Sequence, residues 1–515
     1  MVYGLSVRRP WFLCALAAVT LYSCPYFGQL KSANELPRIF LTTEMVDRGT
    51  FAIDARLPEL GSRFDVSRTP DGRHFSNKAP GLSLLAVPAY LAVKGWHAVA
   101  GGTPSLRELT WAFRLSAVAV PALAFLPVFW AVARRFAPGA PRAADTALAA
   151  YALGSLALPY SILFYSHQVA AALCGASFAC AIALARTPDL RRPGRWAAAT
   201  GALAGLAVLV DYQAAIAGLA VGLYLLARAP RRWRHAALAL AGAAPAAAAL
   251  AAYHTACFGA PWRTGYAFAP DPAHARGVLG IVGPNARAMA NALVAPDNGL
   301  LWLSPWVALA VAGAVAIARD GAARRRVGAE AAVCAAVVAA YVLFLGSTVP
   351  EFGRGGWSVG PRYIAAAIPF AGWLAAAGLA AVDRRPAIAT VALALVWIGV
   401  AVYVLAASTF PHWPWPNFTN PLRSVSMRLV AEGMAPYSAG TLLGLRGIAA
   451  YLPAFAGAAA VTAALTAGRD RHRWRRTAIA AALAAAALVG YARVPERGPG
   501  ADRGWRYIER IWEPR

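Results

Sequence analysis

Three short stretches carry side chains that could do chemistry together. Ser32-Ala33-Asn34-Glu35-Leu36-Pro37-Arg38 sets a carboxylate three residues before a guanidinium. On a helix, Glu35, Arg38 and Thr42 would share one face. A carboxylate beside an arginine at the membrane surface suits a general base; the plainer role for Glu35 is to complement a helix dipole. Asn34 is placed to cap that helix, with Pro37 in its first turn and Gly49 as its stop. The second stretch, His74-Phe75-Ser76-Asn77-Lys78-Ala79-Pro80-Gly81, puts Lys78 before a Pro-Gly break. A lysine at headgroup depth is a natural phosphate ligand, although ordinary snorkelling would also place it there. The third, 347–361, holds Glu351, Arg354 and Trp357 among glycines and leads into Arg362 and Tyr363. Guanidinium groups on a loop that allows close backbone approach point to anion clamping; membrane-end anchoring is the alternative for Arg362. His167 and Asp211-Tyr212 sit in short turns between apolar runs. The candidate set is therefore Glu35 as base, Lys78, Arg38 and Arg362 as phosphate ligands, and Asn34, His74, His167, Asp211, Tyr212, Glu351, Arg354 and Tyr363 around a substrate. Asp54, Asp65 and Asp71 read as turn residues.

The elements that must hold these residues are apolar. Of 515 residues 59% are hydrophobic and 14% charged, and the mean hydropathy is +0.50. Ordinary soluble domains are about 25% charged. Runs of the length that crosses a bilayer as a helix recur along the chain, without the alternation of a membrane barrel. An all-α polytopic membrane protein is expected, because helices satisfy their backbone groups internally in lipid.

Arginines fix the count. With Arg8 and Arg9 inside, a first span over 11–29 delivers the chain outside. If both 80–100 and 109–133 crossed, six consecutive arginine clusters would face outside, against the positive-inside rule. We therefore read 80–100, with Pro80, Gly81, Pro88, Lys94 and His97, as an interfacial or re-entrant helix. Further spans are expected at 143–160, 168–186, 196–210, 212–227, 236–254, 299–318, 328–346, 362–382, 388–407, 446–467 and 477–491, about thirteen in all. The run 196–227 is too long for one span and is divided at Asp211; an acid there needs a recess or a partner. External segments 30–108, 255–298, 347–361 and 408–445 then gather the polar residues on one face. A tail helix with Trp505, Ile508 and Trp512 at helical spacing suits a place on the membrane surface. Domain limits of 1–410 and 411–515 follow.

Several functions are excluded by pattern. The net charge of +26 is spread as short arginine clusters between apolar runs, not as a basic groove, and there is no nucleic-acid motif. Six cysteines show neither metal spacing nor a disulfide framework. The stretch from Trp11 to Tyr22 could be a cleaved signal, but an uncleaved first span fits better with many spans to follow. Phosphate-binding loop, nucleophile-elbow and His-Glu-x-x-His motifs are absent.

Asn34-Glu35-x-x-Arg38 after the first span, with Phe75 to Gly81 closing the long loop, resembles bacterial glycosyltransferases of the GT-C superfamily, of the family-39, protein-mannosyltransferase and lipid A aminoarabinose-transferase types. Phe258-Gly259-Ala260-Pro261 with Gly265-Tyr266, Asn298 to Leu301 leading to Ser304-Pro305-Trp306, and Gly360-Pro361-Arg362-Tyr363 extend the resemblance over roughly 10–410. It implies a GT-C-like bundle with juxtamembrane helices in a large first periplasmic loop. It implies a polyprenyl-phosphate-linked sugar donor and an envelope glycan, lipid or protein acceptor. Transfer would occur with inversion at the periplasmic face of the bacterial inner membrane. Glu35 matches the acid of the first loop and Lys78 the lysine that contacts the lipid phosphate. Many relatives carry paired acids where this chain has Asn34-Glu35, so no cofactor is certain and a divalent cation is left open. The alternative reading is a transporter or lipid flippase with a polar cavity on that face, though no inverted repeat is visible.

Overall fold

The structure, a computed structural model, describes residues 11–349, 355–468 and 470–512. It is almost wholly helical. Among the described residues the only named strands are Val66–Arg68 and His74–Ser76, which pair antiparallel with Val66 opposite Ser76. Among the described residues eight helices are long and apolar enough to cross a membrane: Gly81–Ala100, Leu106–Phe136, His167–Arg186, Pro193–Val210, Arg232–Phe258, Gly321–Ser347, Arg362–Val382 and Pro386–Ser408. Trp11–Tyr22, Tyr212–Arg228, Pro305–Arg319 and Leu452–Ala467 are shorter apolar helices, and Arg471–Arg493 follows as a 23-residue helix.

Glycine lets two of these helices meet at the backbone. Gly201 lies against the Ala239 carbonyl and Gly242 against that of Ala198, so a Cβ at either position would collide with main chain. This small-residue contact locks Pro193–Val210 to Arg232–Phe258.

Where the helices break, they break for reasons of hydrogen bonding. The run expected as a span over 143–160 stops at Leu153, and it resumes only as the short turn Ala157–Ser161. Two buried donors have taken the Gly154 carbonyl, Trp306 Nε1 at 2.6 Å and Ser304 Oγ at 3.2 Å. The expected span 299–318 is likewise divided at Ser304-Pro305, since proline cannot donate within a helix. The first helix ends at Tyr22, seven residues before the expected limit. The break expected at Asp211 is present, with Asp211 itself extended.

The C-terminal part expected from 411 onward belongs to the same core. Tyr22 Oη donates to the Ala450 carbonyl at 2.9 Å, and the buried residues of Leu452–Ala467 join those of Trp11–Tyr22 in one apolar cluster. The helix Ala501–Ile511 forms, but its apolar stripe is covered by protein, a correction to the membrane-surface reading. Trp505, Ile508 and Trp512 are all buried; Trp512 packs against Phe27 at 5.2 Å between ring centroids, and Arg428 stacks on Trp505 at 3.7 Å.

Gly81–Ala100 packs on Leu36–Asp47, where Tyr90 Oη and Lys94 Nζ each approach Asp47 at 2.6 Å. It turns Leu84, Leu85, Leu91, Trp96 and Val99 outward. Length and composition alone would let it cross, so its placement is a direct test of the topology. A reporter fused after residue 104 is expected to read on the same side as one after residue 444, and opposite to one after residue 230. A residue-104 fusion that reads with residue 230 would mean that Gly81–Ala100 spans the bilayer.

Candidate functional site

The two-stranded hairpin is what assembles the site. Its pairing register carries Asp65, just before the first strand, next to Asn77, just after the second, and the Asn77 N–H donates to the Asp65 carbonyl at 3.1 Å. Lys78 follows directly, and its Nζ lies 2.8 Å from Asp65 Oδ1. The hairpin is fixed in turn by Ser67 Oγ donating to the Gly265 carbonyl at 2.5 Å. Gly265 sits so close to Asn77 that a Cβ there would overlap its Cα. The next residue, Tyr266, thereby presents its ring 5.3 Å from Lys78 Nζ.

A continuous polar chain runs from this pair across the buried cleft. Asn34 Nδ2 donates to Asp65 Oδ2 at 3.3 Å. Arg38 Nη1 donates to the Asn34 carbonyl at 2.8 Å and to its side-chain Oδ1. Arg38 Nη2 donates to Ser166 Oγ at 3.2 Å, and Ser166 Oγ donates to Asp211 Oδ2 at 3.0 Å. His167 Nδ1 lies 2.7 Å from the same Asp211 oxygen. Asn34, Arg38, Lys78 and Asp65 are all buried.

Arg362 joins this buried cluster, within electrostatic reach of Asp65 and Arg38. It is 7% exposed and stacks between Tyr165 and Tyr363, 5.3 and 5.4 Å from their centroids. Its Nε has no hydrogen-bond partner, and among the described residues it forms no ion pair. Arg38 lies within electrostatic reach of Asp65, Asp211, Tyr266 and Arg362. Among the described residues three cations thus face two acids, an excess of one positive charge in a buried space. Such an excess needs an anion, because an unpaired buried charge is costly.

Glu35 does something else. Its carboxylate accepts from Arg114 Nε at 2.8 Å, from Arg114 Nη2 at 2.7 Å and from the Phe164 N–H at 2.7 Å. Arg114 Nη1 also donates to the Pro25 carbonyl at 2.6 Å. Burial alone would raise the Glu35 pKa; the Arg114 charge and its hydrogen bonds outweigh burial and hold it below the usual carboxylate range. Both oxygens of this carboxylate are thus taken by fixed donors and neither is open to a hydroxyl, so the geometry disfavours the expected role of general base. His412 Nε2 stands 3.7 Å from Glu35. Burial, with the Arg114 and Arg362 charges, pushes its pKa down to about 4 against the pull of Glu35, so this histidine is neutral near pH 7.

The other expectations divide. Asn34 does not cap Leu36–Asp47: Glu35 occupies the cap position without a side-chain cap bond, because the Asn34 amide is spent on Arg38 and Asp65. Gly49 does stop the helix in a left-handed conformation. His74 is not part of the cleft; its Nδ1 pairs with Asp54 at 2.8 Å on the outer edge of the hairpin. Tyr212 Oη meets His254 Nε2 at 2.9 Å, and its ring is 6.1 Å from Tyr266. Tyr363 lies 5.8 Å from the His167 ring. Glu351 and Arg354 lie outside the described residues. Among the described residues no three His, Cys, Asp or Glu side chains converge as a metal site would require.

Sequence reasoning missed Arg114, Ser166, Tyr165 and His412, took Asp65 for a turn residue, and gave Tyr266 no role beyond the motif that contains it. For Arg114 a signal was available: an arginine inside an apolar run demands a buried partner.

No protein-family model matches the sequence, and no curated protein matches it. Among solved structures the chain is similar to ArnT from Cupriavidus metallidurans in the apo state, with 17% identity and a TM-score of 0.52 over 93% of this chain and 75% of that one. It is similar also to the same protein bound to undecaprenyl phosphate, with 16% identity and a TM-score of 0.53 over 98% and 79%. The likeness shows the fold alone: an all-α polytopic membrane bundle like that of these two structures.

Breaking the Glu35–Arg114 pair is expected to strand a buried charge. Glu35→Ala or Arg114→Met should each cost roughly 3–5 kcal/mol, and removing both together should cost less than either alone. Thermal unfolding of the purified variants in one detergent reads this directly. Because the folded pKa of Glu35 is lowered, its contribution should be full above the ordinary carboxylate range and fade only as pH falls below it.

Proposed function

We propose that this protein is a glycosyltransferase that moves a sugar from a polyprenyl-phosphate carrier to an envelope glycan, lipid or protein. The face that holds the cleft is the periplasmic face of the bacterial inner membrane, with the N-terminus in the cytoplasm and about thirteen spans. The observation that carries this reading is the cluster of Arg38, Lys78 and Arg362, buried and in net excess over Asp65 and Asp211. The excess suits a single phosphodiester, and the fold is that of a protein solved with undecaprenyl phosphate.

In this reading Lys78 and Arg362 take the phosphate oxygens, and Arg38 adds charge from behind. The acceptor hydroxyl attacks the anomeric carbon from the side opposite the phosphate. The bond from that carbon to the phosphate oxygen breaks, the carrier keeps the electron pair, and the sugar is inverted. Charge growing on the departing phosphate is stabilised by cations already fixed in a low-dielectric site. Asp211 takes the acceptor's proton. Its Oδ2 receives the bonds from Ser166, His167 and Gln213, whereas no described donor reaches Oδ1. Glu35 acts by positioning: it fixes Arg114 and the Phe164 amide and so the turn that presents Ser166 and His167. Tyr165, Tyr266 and Tyr363 offer ring faces against which a sugar can pack.

Asp211→Asn is expected to lower transfer by roughly 10²- to 10⁴-fold while leaving carrier-phosphate binding intact. Lys78→Ala and Arg362→Ala should instead weaken that binding. Transfer by the Asp211→Asn protein at the normal rate would remove the base assignment. Mass spectrometry of envelope glycolipids with and without the gene tests the function itself. Loss of one sugar would name the donor and acceptor class, and an unchanged glycan profile with a transport defect would favour the transporter reading.

A further inference from the structure

Asp65 is the acid that the transfer step leaves unused, and it sits where the phosphate should go. Its Oδ1 is 2.8 Å from Lys78 Nζ, and its Oδ2 is held by Asn34 Nδ2 at 3.3 Å. Among the described residues no other acid pairs with Lys78. Carboxylate and phosphate oxygens make the same demand on an ammonium group, a charge-assisted bond of roughly 2.7–2.9 Å. Two anions on one buried ammonium repel each other far more strongly than they would in water. Donor binding must therefore loosen the Asp65–Lys78 pair.

Asp65 has somewhere to go. The Asn34 amide can keep hold of Oδ2 without adding charge, and the chain before Asp65, residues 61–64, is exposed. An acid at position 34 would repel Asp65; a neutral amide can receive it.

We propose that Asp65 is a resident counter-anion of the donor site: it occupies the phosphate position on Lys78 in the empty protein, sets donor affinity by competing for that lysine, and returns to it to expel the spent carrier. The inference rests on the phosphate reading of the cleft. The chemistry of transfer gives it a purpose. The donor is a phosphodiester with one negative charge. The product is a monoester whose second pKa is about 6, so it carries more charge and would hold the cations more tightly than the donor did. A carboxylate that can take back the lysine offsets that gain at the step where many enzymes are slowest.

The test measures binding of undecaprenyl phosphate to the full-length protein in nanodiscs, with steady-state transfer beside it. Asp65→Asn should lower the Kd for undecaprenyl phosphate by about tenfold, the size of coupling common between contacting groups. It should also lower the donor KM, slow kcat and strengthen inhibition by added undecaprenyl phosphate. Asp65→Glu, which keeps the charge, should stay near wild type. In a Lys78→Met background Asp65→Asn should leave the Kd unchanged, because the contested lysine is gone. Should the asparagine variant fail to fold, Asp65→Ser removes the charge with a smaller side chain and carries the same expectation. Weaker or unchanged binding with Lys78 intact would overturn the proposal. So would an equal gain in the Lys78→Met background, or a large loss of kcat with Kd unchanged, which would make Asp65 a base. Wild-type protein that binds no undecaprenyl phosphate would instead overturn the phosphate reading itself.

Discussion

One desolvated ion pair fixes the geometry on which the cleft depends. Arg114 arises in the middle of an apolar helix, where an arginine without a partner would be untenable. Glu35 meets it with both oxygens, and the remaining donor capacity goes to the Pro25 carbonyl. The same carboxylate takes the Phe164 amide, which is free because the short helix Ala157–Ser161 ends before it. Four segments far apart in the chain are thereby tied to one charge pair: the end of the first helix, the start of Leu36–Asp47, the helix from Leu106, and the turn that carries Ser166 and His167. Replacing that pair by apolar side chains could keep the bundle, but it would release the turn.

Next to this neutral pair the cleft keeps an imbalance of charge. The pair and the cleft are separate electrostatic units, although Asn34 and Glu35 are neighbours in sequence. Glu35 turns toward Arg114 while Asn34 turns toward Arg38 and Asp65, so one peptide joins a structural charge to a functional one. The tyrosines around Arg362 hold it by stacking, and among the described residues no acid pairs with it, which leaves its charge available to a ligand.

Much of this was legible in the sequence because charge is rare in it. Lys78, Arg362 and Asp211 stand out as ionisable residues in apolar surroundings, and all three reach the cleft. The division at Asp211 was readable from length alone. Glu35 was recognised as important, but its role was set by a residue 79 positions away, which local spacing cannot show. Asp65 read as a turn residue because its neighbour, Lys78, is delivered by strand pairing; the hairpin 66–76 is too short to declare itself by alternation. The spacing of Trp505, Ile508 and Trp512 correctly gave an apolar face, yet periodicity states only that a face is covered and not whether lipid or protein covers it. The span at 143–160 was overextended for a similar reason, since the side chains that take the Gly154 carbonyl come from a remote segment, whereas the break in 299–318 lies at Pro305, which the sequence shows.

That tail helix has a consequence for biogenesis. Trp512 packs on Phe27 and Tyr507 on Trp357, at 5.2 and 5.1 Å between ring centroids, so nearly the last described residues brace both the segment before Glu35 and the loop before Arg362. At about 5–20 residues per second, a ribosome needs roughly 25 to 100 seconds to travel from the first of these contacts to the last. Through that interval the early helices are already inserted, while the face they build toward stays open. Quality control during synthesis would then meet a chain whose charges are in the membrane before its closing piece exists, and a premature stop near residue 500 should be read by the cell as an unfinished protein.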